Sequence, residues 1–315
     1  MPIFESGIHK HMYPSDLRAL VIDILRAYFL LTSASVLIAR AIPQLRRAFI
    51  PYGKTHNGSS QLDPVLQQLS NFNVPKSWFW HFYLLSTSIS IFWGAQFAVC
   101  TLGGRSCLST ELSVVNGKAF ASWLLMFLHG LRRLYETTFI QKASVAKMWI
   151  GHYLAGGVFY FMMSITVFIE GLDRPIGTLD TKASLITGTT LGKSIFDSID
   201  RHSLSAVALF ITASIWQYHV HSTLASLRSP GMRKATYLAP PSSSLSFQLF
   251  LTPHYTAEIL IYLALALQLR NWTIFCALIW VVTNLSVSAG ETRVWTRSKF
   301  KGHEWGQWNL IPFLY

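Results

Sequence analysis

Long apolar segments constrain the fold of this chain more than any other feature. Of its 315 residues, 51% are hydrophobic and only 13% are charged, whereas a soluble domain has about 25% charged residues. A window of about 19 residues, the length that crosses a bilayer as a helix, selects seven candidate spans. They are Leu17–Ala39, Phe79–Leu102, Ala119–Ile140, Met148–Leu172, Ser203–Leu224, Tyr255–Leu269 and Trp272–Ser288. The sequence therefore predicts an all-α integral membrane protein with seven transmembrane helices.

Two of these spans are irregular. Charged and polar residues interrupt the third, namely His129, Arg132, Arg133 and Glu136. The sixth is short if it begins at Tyr255. It could instead begin near Leu245 as a helix broken by Pro253, because proline disrupts the interior of a helix.

Basic residues are concentrated in alternate loops. The first, third and fifth loops and the C-terminal tail are rich in Lys and Arg, whereas the other loops are poorer in them or balanced by acids. Because basic loops mark the cytosolic side of a membrane, we expect a lumenal N-terminus and a cytosolic C-terminus. The same loops account for the net charge of +12. No basic run with interleaved aromatic residues suggests a nucleic-acid partner, and no obligate protein partner is evident.

The three cysteines, Cys100, Cys107 and Cys276, lack the spacing of a metal framework, and we expect no metal site. Cys100 and Cys107 could form a disulfide across a short loop in an oxidising lumen. Nothing in their spacing requires that bond, so we expect free thiols.

Polar residues at membrane depth usually mark a functional site. In the fifth span, Gln217, His221, Leu224 and Arg228 fall on one stripe of a helix. This stripe is typical of a pocket for a polar cofactor, or of a helix end whose arginine reaches lipid phosphate. A zinc site from His219 and His221 is not expected, because two residues so spaced diverge on a helix.

Two further groups leave alternatives open. His129, Arg132, Arg133 and Glu136 share a helical face, which indicates either a self-neutralised face or half of a phosphate clamp. Glu258 near the head of the sixth span either holds an arginine or a polarised amide, or caps the helix start. Gly-x-Gly-x-x-Gly and Walker patterns are absent, so a Rossmann domain is not the cofactor site.

These motifs, in this order, resemble the steroid 5α-reductase family. The C-terminal motifs are Gln217…His221…Leu227-Arg228, Tyr237, Tyr255-Thr-Ala-Glu258-Ile-Leu-Ile-Tyr262, Ser298-Lys299-Phe300 and Ile311-Pro-Phe-Leu-Tyr315. Upstream motifs look like the polyprenol reductase branch in particular, namely Tyr52-Gly53-Lys54, Val74-Pro75-Lys76, Trp78-Phe79, His81-Phe82-Tyr83 and Leu128-His129 with Leu131-Arg132-Arg133-Leu134.

The resemblance implies seven membrane helices around an NADPH site open to the cytosol, and reduction of a C=C bond conjugated to a carbonyl. In the polyprenol reductase branch this bond lies in the α-isoprene unit, and the reaction serves dolichol synthesis for protein glycosylation in the endoplasmic reticulum membrane. Matched by motif, the cofactor contacts are Tyr52, Trp78, Arg133, Gln217, His221, Arg228, Tyr237, His254 and Glu258. The implied partners are a long-chain isoprenoid substrate and membrane lipid.

We accordingly expect a single membrane domain over residues 1–315. Residues 1–73 would hold the first helix and a basic cytosolic loop, and residues 74–200 helices two to four and a lumenal loop. Residues 201–315 would form the NADPH-binding region.

The sequence also departs from the family pattern. Phe82 and Gly130 stand where steroid-reducing members hold the substrate ketone with a Glu and a Tyr, which argues against a 3-oxo steroid, and we expect Gly130 to open space. Candidate donors to the substrate oxygen are His81, Tyr83 and His129. His81 ranks first because it matches a substrate-side position. The alternative is that His81 is a buried residue bonded to a neighbouring helix.

Chemistry favours an aldehyde substrate, because hydride addition to an isolated alkene leaves a carbanion without a sink. In a polyprenal the charge moves to oxygen as an enolate, which a donor stabilises. Three alternatives stay open: a trans-2-enoyl-CoA reductase, a 3-oxo-steroid reductase, and a non-catalytic seven-helix receptor or lipid-binding protein.

Overall fold

The computed structural model describes residues 14–51, 55, 63–102, 117–142, 146–169, 200–227, 238–241, 243–301, 306–313 and 315. Helices dominate this part of the chain. They are α1 Pro14–Ala41, α2 Pro43–Phe49, α3 Pro64–Ser70, α4 Trp80–Leu102, α5 Gly117–Tyr135, α6 Ile150–Ile169, α7 Arg201–Ser226, α8 Leu245–Leu249, α9 Pro253–Leu269 and α10 Trp272–Lys299.

Each of the seven predicted spans overlaps one long helix, namely α1, α4, α5, α6, α7, α9 and α10. Three of them, Asp16–Ala41, Ile150–Ile169 and Trp272–Lys299, are long and apolar enough to cross a membrane. The other long helices are not among these three. For example, α5 carries the charged residues Lys118, Arg132 and Arg133, and α9 is only 17 residues long. The chain is therefore a mostly helical membrane protein.

The sixth predicted span is interrupted where the proline suggested. The short helix α8 ends at Leu249, and α9 begins at Pro253. Proline is tolerated there because the first position of a helix needs no amide donor.

A short two-stranded sheet adds to the helices, so the prediction of an all-α chain is not fully met. Strand β1, Asn73–Pro75, pairs antiparallel with β2, Lys147–Trp149, and Val74 lies opposite Met148. Both side chains are buried. The sheet joins the segment before α4 to the start of α6 and thereby fixes the starts of these two helices.

The helix α9 lies at the centre of the bundle. Ala257, Ile261, Ala264 and Leu265 on this helix are each 0% exposed, and α9 packs against α5, α7 and α10. Small residues allow such helices to approach closely. Any polar side chain on α9 is therefore held within the bundle.

The first turn of α7 is capped by the side chain of Asp200. The Asp200 carboxylate accepts a hydrogen bond of 2.7 Å from the Ser203 amide and one of 2.9 Å from Arg270. These contacts hold the pKa of the Asp200 carboxyl well below its usual range, with the Ser203 amide first among the causes. The pair ties the start of α7 to the turn between α9 and α10.

The side chains of Cys100 and Cys107, which we expected to be free thiols, lie outside the part of the chain that the structure describes. Cys276 is a free, buried thiol on α10.

Candidate active site

A buried carboxylate forms the centre of a polar network between the helices. The α5 helix ends at Tyr135 and continues as a single π-helical turn, Glu136–Ile140. Such turns occur frequently at functional sites. Glu136 is 0% exposed and pairs with the guanidinium groups of Arg132 and Arg133. His221 on α7 approaches the same carboxylate, with Nδ1 2.7 Å from Oε2.

Arg133 connects this centre to α4. Its Nη2 donates to the Tyr83 hydroxyl oxygen over 2.9 Å, and its guanidinium carbon lies 4.7 Å from the centre of the Tyr83 ring. The Tyr83 oxygen thus accepts a hydrogen bond from a cation. Because that contact uses an oxygen lone pair, the hydroxyl proton stays available for donation to another group. Tyr83 is therefore a polarised donor.

Gln217 connects the centre to α9. Its Oε1 accepts a 2.6 Å hydrogen bond from Arg132. Its Nε2 donates to the Glu258 carboxylate and to the His254 carbonyl oxygen over 3.1 Å. A second contact reaches the same carboxylate, because His129 Nε2 lies 3.3 Å from Glu258 Oε1. Four helices, α4, α5, α7 and α9, therefore share one network.

The charges in this network balance. Arg132 and Arg133 contribute two positive charges, and Glu136 and Glu258 contribute two negative charges. Burying unpaired charges is costly, whereas paired and hydrogen-bonded charges are tolerated. The contacts favour the self-neutralised face over the phosphate clamp for the two arginines, since both pair with Glu136.

The suggestion that Glu258 caps the start of its helix is wrong. The first turn of α9 has no acidic residue, and the N-cap Thr252 makes no side-chain capping bond. Glu258 instead lies in the second turn and accepts from the amide of Gln217, which agrees with the alternative that it holds a polarised amide.

Several polar atoms in and beside this network stay unused. Arg132 Nε, Arg133 Nε and Ser214 Oγ are buried and have no hydrogen-bond partner among the described residues. Buried polar atoms are nearly always hydrogen-bonded in native proteins. A polar ligand bound beside α5 and α7 would supply the missing partners.

The structure brings together seven of the predicted site residues: Tyr83, His129, Arg133, Gln217, His221, His254 and Glu258. Most of them make the contacts described above. His254 also contacts His221, with ring centres 5.6 Å apart. Tyr52, Arg228 and Tyr237 lie outside the described residues.

Within the described part of the chain, no three His, Cys, Asp or Glu side chains could hold a metal ion. His219 is exposed whereas His221 is buried, as expected for diverging side chains.

His81 and Trp78 belong to a neighbouring aromatic group. The His81 Nδ1 atom lies 3.0 Å from the Tyr153 hydroxyl on α6, and the Trp78 ring centre lies 5.5 Å from the ring centres of both. This contact with a neighbouring helix agrees with part of the alternative interpretation of His81, although the side chain is only partly buried.

The expectation that Gly130 opens space is wrong. A Cβ atom at this position would lie 3.1 Å from Ser86 Oγ and 3.2 Å from Thr87 Oγ1. Gly130 therefore permits close packing of α5 on α4. Phe82 is also packed tightly, because a Cβ atom on Gly156 of α6 would lie 2.8 Å from its ring.

Two residues of the network were not among the predicted site residues. Arg132 and Glu136 were recognised as part of a polar face, and their four-residue spacing was the available signal. Tyr262, one helical turn after Glu258, packs against His129 with ring centres 6.0 Å apart.

Comparison with known proteins finds similarity along most of the chain. A family model described as 3-oxo-5-alpha-steroid 4-dehydrogenase matches residues 190–315. The polyprenal reductase of Saccharomyces cerevisiae is 29% identical over 294 residues, which cover 92% of this chain and 93% of that protein. Polyprenal reductase of Homo sapiens is 26% identical over 330 residues, with 97% and 98% covered. That of Drosophila melanogaster is 26% identical over 305 residues, with 88% and 86% covered. The similarity therefore includes α4 and α5, which carry Tyr83 and Arg133.

Proposed function

Because this chain belongs to the steroid 5α-reductase family, we propose that it is an NADPH-dependent polyprenal reductase. It would reduce the α-isoprene C=C bond of a long-chain polyprenal in dolichol synthesis. The family and the similar polyprenal reductases support a reductase of C=C bonds. The observation that carries the proposal is the Tyr83 hydroxyl, which is polarised by Arg133 beside a neutral polar network.

The chemistry of the network fits the nicotinamide end of the cofactor. A carboxamide needs both a donor and an acceptor. The Glu258 carboxylate has acceptor capacity beyond its contacts with Gln217 and His129. The unpartnered N–H groups of Arg132 and Arg133 add donors. When bound, NADPH supplies the hydride. Because the network has no net charge, we assign it to the uncharged ring and its carboxamide.

The phosphates of the cofactor would then be bound elsewhere. Arg132 and Arg133 pair with Glu136, so neither supplies an uncompensated charge. We propose that Arg228 binds a cofactor phosphate, and that Tyr52 and Tyr237 contact the cofactor as the family resemblance implies. Trp78, which is 39% exposed, would contact the cofactor from the neighbouring aromatic group.

Replacing Arg228 by alanine is expected to raise the KM for NADPH about tenfold or more. The loss of one charge-assisted contact costs about 1.5–3 kcal/mol, and about 1.4 kcal/mol corresponds to a tenfold change in affinity. Steady-state kinetics at saturating polyprenal would measure the effect. Arg293→Ala is a control in the same cytosolic region, since Arg293 donates to the Gly306 carbonyl oxygen within the protein. An unchanged KM for NADPH in a folded Arg228→Ala protein would reject the phosphate role.

The substrate would be reduced in two balanced steps. Hydride supplied by NADPH would add to the β-carbon of the enal, leaving NADP⁺, and the C=C electrons would move to oxygen as an enolate that Tyr83 would stabilise by hydrogen bonding. A proton from solvent would then add to the α-carbon and give the saturated aldehyde. Phe82 is buried against Tyr153 and Tyr160, so its position offers no carboxylate to a steroid ketone.

We also propose seven spans, with a lumenal N-terminus, a cytosolic C-terminus and residence in the endoplasmic reticulum membrane. The basic loops support this orientation. The helices α4, α5, α7 and α9 would span the membrane as a group, since their polar residues face one another rather than lipid. The isoprenoid tail would lie among apolar side chains at membrane depth.

The proposed function can be tested with purified protein in lipid nanodiscs. NADPH oxidation should depend on added polyprenal, and a trans-2-enoyl-CoA or a testosterone-like enone should give little turnover. Comparable rates with the enoyl-CoA or the steroid would assign the protein to another activity of its family. Absence of NADPH binding would instead favour a non-catalytic lipid-binding role.

A further inference from the structure

Tyr262 on α9 carries a buried hydroxyl that the network leaves unused. The residue is 1% exposed, and its hydroxyl makes no hydrogen bond of normal geometry among the described residues, although the Tyr160 hydroxyl of α6 lies near it. A buried hydroxyl without a partner costs free energy, whereas a phenylalanine of nearly the same shape would avoid that cost. The hydroxyl group therefore needs an explanation other than packing.

The surroundings of Tyr262 place it beside the proposed reaction centre. It lies one helical turn after Glu258 on the same face of α9. Its ring packs between His129, with ring centres 6.0 Å apart, and Phe159 of α6, with ring centres 5.6 Å apart. Tyr160 of α6, whose ring centre lies 5.2 Å from that of Tyr83, connects this position with the Tyr83 side of the network.

A second tyrosine, which is only partly buried but also has a buried hydroxyl, shows what distinguishes this position. Tyr28 on α1 likewise has a hydroxyl without a partner among the described residues. Its ring packs on Phe29, 5.2 Å away between ring centres, and α1 packs mainly on α10. An unpartnered hydroxyl is thus not sufficient by itself. Of these two tyrosines, Tyr262 is the one that packs on a residue of the ionic network, His129.

We propose that the Tyr262 hydroxyl is a second hydrogen-bond donor to the carbonyl oxygen of the substrate. This inference rests on the proposed function, which requires an enolate oxygen to be stabilised. Tyr83 on α4 and Tyr262 on α9 would donate to that oxygen from two different helices. Two donors fix the oxygen in position, as in other sites that stabilise an oxyanion. These two donors would replace the Glu and Tyr that hold the ketone in steroid-reducing members, whose positions are occupied here by Phe82 and Gly130.

The test compares Tyr262→Phe with Tyr28→Phe in the full chain in nanodiscs. Each change removes one buried, unpartnered hydroxyl, so the two variants are chemically matched. We expect Tyr262→Phe to lower kcat with polyprenal about 10- to 30-fold, since a neutral donor is about half as strong as a charge-assisted one. The Kd for NADPH should stay unchanged. Thermal stability should stay the same or rise, because an unsatisfied hydroxyl has been removed. Tyr28→Phe should retain full activity.

The results separate a failure of the Tyr262 role from a failure of the proposed function. If wild-type protein turns over polyprenal and Tyr262→Phe keeps kcat within twofold, the Tyr262 assignment is wrong and the proposed function stands. The assignment is also wrong if Tyr262→Phe loses NADPH affinity or thermal stability along with activity, because the hydroxyl would then be structural. If wild-type protein reduces neither polyprenal nor a short-chain enal, the proposed function and the role of Tyr262 both fail.

Discussion

Replacing Tyr83 by phenylalanine is expected to lower kcat with polyprenal about 10²–10³-fold, which is the usual effect of losing a donor to a developing oxyanion. The Tyr83 oxygen accepts from Arg133 over 2.9 Å, and this contact strengthens the hydroxyl as a donor. The KM for polyprenal should change less than kcat, because the donor acts mainly in the transition state. Pre-steady-state hydride transfer, followed by NADPH absorbance, would measure the effect.

His81→Phe provides the comparison on the same helix. The sequence ranks His81 first among the donors, whereas the structure pairs its Nδ1 with the Tyr153 hydroxyl on α6. We therefore expect a smaller loss of kcat for His81→Phe than for Tyr83→Phe. A greater loss for His81→Phe, with Tyr83→Phe close to wild type, would return the donor role to His81. His129→Phe tests the third candidate in the same assay.

Replacing Glu136 by glutamine is expected to destabilise the protein by about 3–5 kcal/mol, which is typical for breaking a buried ion pair by removing one partner. Glu136 is 0% exposed and pairs with two arginines. A neutral amide would leave the network with one uncompensated positive charge. Reversible unfolding in mixed micelles would measure the change in the free energy of unfolding.

Asp23→Asn is the matched control for this change. It converts a carboxylate to an amide in an ion pair on α1, where the Asp23 side chain is 74% exposed and lies 3.8 Å from Arg26. Because this pair lies on the outward face of α1, the change leaves no uncompensated charge inside the bundle, and a smaller effect than for Glu136→Gln is expected. If Glu136→Gln were as stable as Asp23→Asn, Glu136 would not be what holds the two arginines in the bundle.

The positions of the long helices could be predicted from the sequence, because each one corresponds to a local hydrophobic segment. Each predicted span overlaps a helix, and the break before the sixth follows from the fixed geometry of Pro253. Residues on one helix could also be grouped, as with Gln217 and His221, because helical periodicity fixes which positions share a face.

Contacts between different helices could not be predicted from hydrophobicity or helical periodicity. Tyr83 and Arg133 are 50 positions apart, and periodicity does not tell which helix faces meet. The same limit explains Gly130, where the absence of a side chain suggested space but α4 fills it with Ser86 and Thr87. The choice between a charged clamp and a neutral network likewise depended on finding Glu136 next to both arginines.

The central claim is that the chain adds hydride to the β-carbon of a polyprenal. The most direct measurement uses NADPH deuterated at its transferable position, with polyprenal, polyprenol and a steroid enone as separate substrates, and locates deuterium in the products by mass spectrometry. We predict one deuterium at the β-carbon of the α-isoprene unit from polyprenal, and none in products of the other two. Deuterium incorporated equally well from polyprenol or the steroid, or found at the aldehyde carbon of polyprenal, would contradict the assignment.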